Sequence, residues 1–131
     1  MAEPIRENEV SGAILDAAIK VHRTLGPGLL ESVYEVALAY ELRQRGHTVE
    51  RQVMIPITYE GIVLDQGFRA DLIVDDLVVI ELKCVEQVIP VHRAQALTYT
   101  RMSGKRLGLL LNFGTTRLVD GVTRFANGLP E

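Results

Sequence analysis

The sequence predicts an α/β domain: a mixed central β-sheet flanked by helices. Three observations predict it. Apolar residues recur at helical spacing up to residue 46, then in short β-branched runs up to residue 83. Pro90 opens a fresh helical segment, and two more apolar strands follow it. Two helices, a meander of strands, one helix and two strands make layers of helix against sheet.

Residues 8–24 read as the first helix, with Val10, Ile14, Ala17, Val21 and Leu25 at helical spacing. Gly26-Pro27-Gly28 breaks it. A second helix runs over 29–45, with Leu30, Tyr34, Ala37, Leu38 and Leu42 as its apolar face and Gly46 as its cap. Residues 48–59 read as a strand in which Pro56 suggests an edge or irregular position. Glu60-Gly61 is a turn, and strands follow over 62–65, 67–74 and 77–83, with Asp75-Asp76 between the last two. Pro90 suits the first position of a helix that Gly104 ends. Strands over 107–112 and 117–125, with a turn near Asp120-Gly121, complete the chain.

A length of 131 residues suits one domain, 1–131, and neither a repeat nor a linker divides it. One cysteine, Cys84, excludes an internal disulfide and a cysteine-rich zinc site. No apolar run approaches the roughly 20 residues that span a bilayer, and Met1–Arg6 lacks the apolar run of a signal peptide, so the cytoplasm is the expected location. The net charge is −3, unevenly spread. Residues 1–86 hold 15 acids and 8 bases, whereas 87–131 hold 2 and 6. From Gln87 to Val119 there is no acid, while His92, Arg93, Arg101, Lys105 and Arg106 all occur there. Such a basic stretch suits phosphate contacts with a nucleic acid, though it also fits ordinary surface charge.

The candidate chemistry lies in one apolar strand. Leu77-Val78-Val79-Ile80-Glu81-Leu82-Lys83 carries a carboxylate and an ammonium two residues apart, hence on one face. Charges in a buried strand are costly unless paired or used. Asp71 on the preceding strand supplies a second carboxylate. Asp71 and Glu81, with the Leu82 carbonyl, are hard oxygen donors suited to Mg²⁺ or Mn²⁺. Lys83 would position an attacking water or offset charge developing on a phosphate. The competing reading is a cross-strand ion pair on a solvated sheet face.

Glu31 shares a helical stripe with Tyr34 and Leu38, which makes it a candidate third carboxylate rather than only a first-turn glutamate favoured by the helix dipole. Gln95 and Tyr99, one turn apart, point together toward the sheet. The site sets a condition on strand register. A two-residue hairpin at Asp75-Asp76 would oppose Asp71 to Ile80 and turn it away from Glu81. A shared ion demands an odd-length connection, a bulge or strong local distortion. An odd connection centred on Asp76 opposes Asp71 to Glu81, and one centred on Asp75 sets it opposite Val79, diagonal to Glu81 and on its face.

Asp71, Glu81-x-Lys83 and Gln95-x-x-x-Tyr99 together resemble the PD-(D/E)XK nuclease superfamily in its RecB-like branch. Gly28-Leu29-Leu30-Glu31-Ser32-Val33-Tyr34 is similar to the signature of the GxxExxY family, as are Leu25-Gly26-Pro27-Gly28 and Leu109-Leu110-Leu111-Asn112-Phe113-Gly114. The residue before Asp71 is Ala70, not proline. The resemblance implies a restriction-endonuclease-like fold. It also implies metal binding by Asp71 and Glu81 with help from Glu31, catalysis by Lys83, and support from Gln95 and Tyr99. The leading functional reading is a Mg²⁺- or Mn²⁺-dependent nuclease acting on nucleic acid, with DNA preferred over RNA as the expected substrate; a homodimer would suit cleavage of both strands. The rival is a non-catalytic protein of the same fold that binds nucleic acid or a protein partner.

Overall fold

In the computed structural model, which describes residues 5–130, the two N-terminal helices are α1 (Arg6–Leu25) and α2 (Glu31–Gln44). Strands β1 (Val49–Tyr59), β2 (Ile62–Val74) and β3 (Val78–Lys83) follow, then α3 (Pro90–Met102), β4 (Leu107–Asn112) and β5 (Val122–Ala126). The strands form one sheet in the order β1-β2-β3-β4-β5. Only the β3–β4 pair is parallel, because α3 carries the chain back across the sheet between them. The mixed α/β architecture is the expected one.

The layers follow from side-chain alternation. Leu72, Val74, Val78, Ile80, Leu82, Leu107, Leu109 and Leu111 join the buried residues of α1 and α2 in the main core. Ile14, Ala17, Tyr34, Leu38 and Leu42 supply the helical side of it, all with no solvent exposure. The opposite face of β4 meets α3: a side chain at Gly108 would run into Thr100 Oγ1 at 1.8 Å. A smaller cluster on that side contains Phe68, Ala70, Ile73 and Val79, with Tyr99 stacked on Phe68 at 4.1 Å.

Several boundaries differ from the sequence reading. Residues 62–74 form one strand, not two. The register with β1 shifts between Ile55 and Ile57 instead, beside Gly67, where a Cβ would lie 2.5 Å from the Ile57 side chain. The shift absorbs the irregularity as a bulge, so pairing resumes beyond it. Pro56 falls at that shift, and β1 is an edge strand as expected. Residues 118–121 form a 3₁₀ turn rather than the first half of β5. Leu30 is 74% exposed, since it precedes α2 as its N-cap instead of lying on its inner face.

The β2–β3 connection is three residues, Asp75 to Leu77. Asp75 and Asp76 both adopt left-handed backbones, which Asp tolerates better than most residues. The Asp75 carboxylate accepts from His47 Nδ1 at 2.6 Å and from the Thr48 amide at 2.8 Å. Burial raises its pKa, but these hydrogen bonds outweigh it and hold the carboxyl below its ordinary value. A depressed carboxylate contributes stability that is present above its unfolded pKa and lost as pH falls through its folded one. Asp75→Asn is therefore expected to cost about 1 kcal/mol at pH 7. The difference in melting temperature from wild type should close as pH falls below about 4. A gap that stays constant as the pH falls well below that value would contradict the assignment.

Candidate active site

Val74 opposes Val78, Ile73 opposes Val79 and Leu72 opposes Ile80. The connection is thus odd and centred on Asp76, and the same register carried one step further sets Asp71 against Glu81. There the two strands part. The Asp71 amide donates to Glu81 Oε1 at 3.3 Å, and the Leu82 amide donates to Asp71 Oδ2 at 2.8 Å. Each carboxylate caps a backbone group freed by the splay, which satisfies donors that would otherwise be orphaned. Lys83 O accepts from the Phe113 amide on the β4 side. Because carbonyls alternate along a strand, the Leu82 carbonyl faces the β2 side, where Asp71 lies.

Glu81 is 5% exposed, and burial first, then the charge of Asp71, pushes its pKa up to about 8. Burial, aided by Glu35, also raises Asp71, against the opposing effect of the Leu82 amide. Lys83 lowers Glu81 only partly, so a cation beside the pair would favour its ionised form. Among the described residues, no three His, Cys, Asp or Glu side chains converge tightly enough to hold an ion by themselves. Two carboxylates and one carbonyl fit Mg²⁺ or Mn²⁺, which keeps waters in its remaining positions. When bound, such an ion polarises a phosphate oxygen and acidifies a water.

The other sequence candidates divide. Lys83 Nζ donates to Gln95 Oε1 at 3.4 Å, and Gln95 Nε2 donates to Tyr99 Oη at 2.9 Å. Glu81-x-Lys83, Gln95 and Tyr99 thus lie in one neighbourhood at the C-terminal end of β3. Glu31, at the start of α2, is exposed. Desolvation of its carboxyl and the charge of Asp71 raise its pKa while Lys83 lowers it, so it borders the carboxylate pair without joining it as a tight third ligand. Tyr34, in contrast, is core: it is unexposed and stacks on Phe113 at 4.6 Å.

Two of the five basic candidates already have acidic partners. Lys105 pairs with Asp76 at 2.7 Å, and Arg106 makes a two-pronged contact with Glu7 at 2.8 and 3.2 Å. Those acids lie far away in sequence, so these two side chains are paired in space. His92 Nδ1 accepts from the Ile89 amide at 3.2 Å and so caps α3. Arg93 and Arg101 remain exposed. An apolar groove of about 680 Å³ between α1 and α2, lined by Val21, Leu25, Val33, Val36 and Tyr40, contains none of the candidate site residues.

Three residues beside the site escaped the sequence reading. Glu35, only 5% exposed, accepts from Arg51 Nε at 3.1 Å and Nη2 at 2.9 Å, and also from Gln52. Glu35 stands one turn after Glu31, so the i, i+4 stripe was the available signal. Nothing in the local pattern marked Arg51 or Gln52.

No curated protein matches the chain. A solved structure, described as the crystal structure of SSO0001, superposes with a TM-score of 0.56 at 20% identity. It covers 95% of this chain, whereas this chain spans only 63% of that one. At this identity the likeness shows the fold alone. The model of the PD-(D/E)XK nuclease superfamily matches residues 8–125, in agreement with the mixed sheet and its flanking helices. The chain therefore belongs to the PD-(D/E)XK nuclease superfamily, with a restriction-endonuclease-like fold.

Proposed function

We propose that this domain is a Mg²⁺- or Mn²⁺-dependent nuclease that hydrolyses phosphodiester bonds of DNA. The observation that carries the reading is the Asp71–Glu81 carboxyl pair at the splayed end of β2 and β3, with Lys83 two residues beyond. Asp71, Glu81 and the Leu82 carbonyl would hold the ion, and Glu31 would meet it through a bridging water. Lys83 orients the attacking water and offsets charge developing on the phosphate. Gln95 holds the Lys83 ammonium, and Tyr99 holds Gln95. Membership of the GxxExxY family and the RecB-like branch is supported by Gly28-x-x-Glu31-x-x-Tyr34, with Glu31 at the site's border and Tyr34 beneath it.

The test is cleavage of plasmid, single-stranded DNA and RNA in Mg²⁺ or Mn²⁺, beside a Lys83→Ala control. Cleavage by wild type that requires the metal and is lost in the control supports the proposal. Equal activity of both proteins defeats it. Substrate binding should depend on the exposed Arg93 and Arg101 and weaken steeply with salt, because phosphate contacts release counterions. Arg93→Glu with Arg101→Glu should reduce binding more than Lys105→Glu, whose ammonium already serves Asp76. Gel-shift titrations at two salt concentrations would show it. Binding that ignores both salt and the arginine reversals would exclude this surface.

A further inference from the structure

Gln52 is a strand residue with a left-handed backbone, φ +52°. Such a conformation is unfavourable for a residue with a Cβ, and strain of this kind persists where surrounding structure imposes it. Packing does not impose it, since Gln52 is exposed. Nor is it an inserted residue. Arg51 opposes Leu72 and Val53 opposes Ala70, so the register is the same on both sides, and Gln52 stands opposite Asp71.

The two strands change faces together at this row. Before it, Val49 of β1 and its partner Val74 of β2 belong to the core under α1 and α2. Beyond it, Val53 and Ile55, opposite Ala70 and Phe68, belong to the cluster beside Tyr99. Strict alternation would keep Val49, Val53 and Ile55 on one face. The left-handed residue thus marks the place where the hairpin rolls over, and Asp71 sits on that row.

The side chain explains what holds it there. Gln52 Nε2 donates to Glu35 Oε1 and, at 3.4 Å, to Asp71 Oδ1. Both partners are acceptors, so the nitrogen end of the amide must face them. Glu35 is itself fixed by Arg51. We propose that Gln52 is a positioning residue for Asp71, tying its carboxylate through Glu35 to α2 so that it is preset for a divalent cation. The inference rests on the metal-dependent reading of the site. With Leu82 on Oδ2 and Gln52 on Oδ1, both oxygens of Asp71 are oriented. The amide also lies between two carboxylates that would otherwise repel each other.

The experiment compares wild type, Gln52→Gly, Gln52→Asn and Asp71→Ala by calorimetric titration with Mn²⁺ and by metal-free thermal melting. Glycine accepts the left-handed backbone but removes the amide. Gln52→Gly is expected to melt at or above wild type and to bind Mn²⁺ about 10–100-fold more weakly, the usual loss when a residue orienting a ligand is removed. Gln52→Asn keeps an amide on a shorter stem and should fall between them. If Gln52→Gly binds Mn²⁺ like wild type while Asp71→Ala does not, the positioning role fails and the metal site stands. A Gln52→Gly protein that melts below wild type also overturns it, because the strain then serves the fold. If wild type binds no Mn²⁺ that Asp71→Ala abolishes, both readings fall.

Discussion

Lys83→Ala should lower the rate of metal-dependent cleavage by about 10²–10³-fold, the usual effect of removing one preorganised group that meets developing charge. The expectation follows from position. Lys83 follows Glu81 on one strand face, and Gln95 and Tyr99 hold its ammonium in turn. The fold should survive, because Lys83 is half-buried at a strand end and lies outside the main core. Glu81→Gln provides the matching control. It removes the buried one of two adjoining carboxylates, so the metal-free protein should melt no lower than wild type, while the melting shift caused by Mg²⁺ or Mn²⁺ should vanish. Retained cleavage in Lys83→Ala, or a retained metal shift in Glu81→Gln, would each contradict the assigned role.

The largest effect on stability is expected at Tyr34, although it belongs to the same short motif as Glu31. Tyr34 has no exposure, stacks on Phe113 and donates its hydroxyl to Gly26 O, while the Leu29 amide donates to it at 3.2 Å. It therefore fastens the α1–α2 loop to the core beneath the site. Tyr34→Ala should cost about 3–5 kcal/mol through the cavity it leaves. Tyr34→Phe keeps the ring and should cost only about 1 kcal/mol. Denaturant unfolding of both variants would check the ratio, and similar losses in the two would show that the hydroxyl, not the ring, matters most.

Local chemistry accounts for what could be read early. Helical spacing placed Ile14, Ala17, Leu38 and Leu42 in the core, and the continuous apolar run around Glu81 marked β3 as buried. Parity alone joined Glu81 to Lys83, because i and i+2 share a strand face whatever the fold. The same rule left the partner of Glu81 open, since a change of one residue in the Asp75–Leu77 connection would have sent Asp71 to the other side. Even so, the condition on register could be stated from the sequence, and the odd connection satisfies it.

The less legible features all depend on distant segments meeting. The acid-free run from Gln87 to Val119 looked like free positive charge. Folding, however, brings Glu7 to Arg106 and Asp76 to Lys105 across separations that no local pattern encodes. Glu35 acquired its place by the site only when α2 packed over β1. The break expected near residue 66 became a register shift inside one strand, because pairing with β1 outweighed the local turn chemistry. By itself, the sequence determined the α/β class, the buried strand and the carboxylate–lysine face, since propensity, periodicity and alternation act over a few residues. The tertiary structure alone decided which charges are already paired, which carboxylates meet, and that a left-handed Gln52 stands opposite Asp71. Those outcomes depend on contacts between segments whose relative placement is settled only when the chain closes.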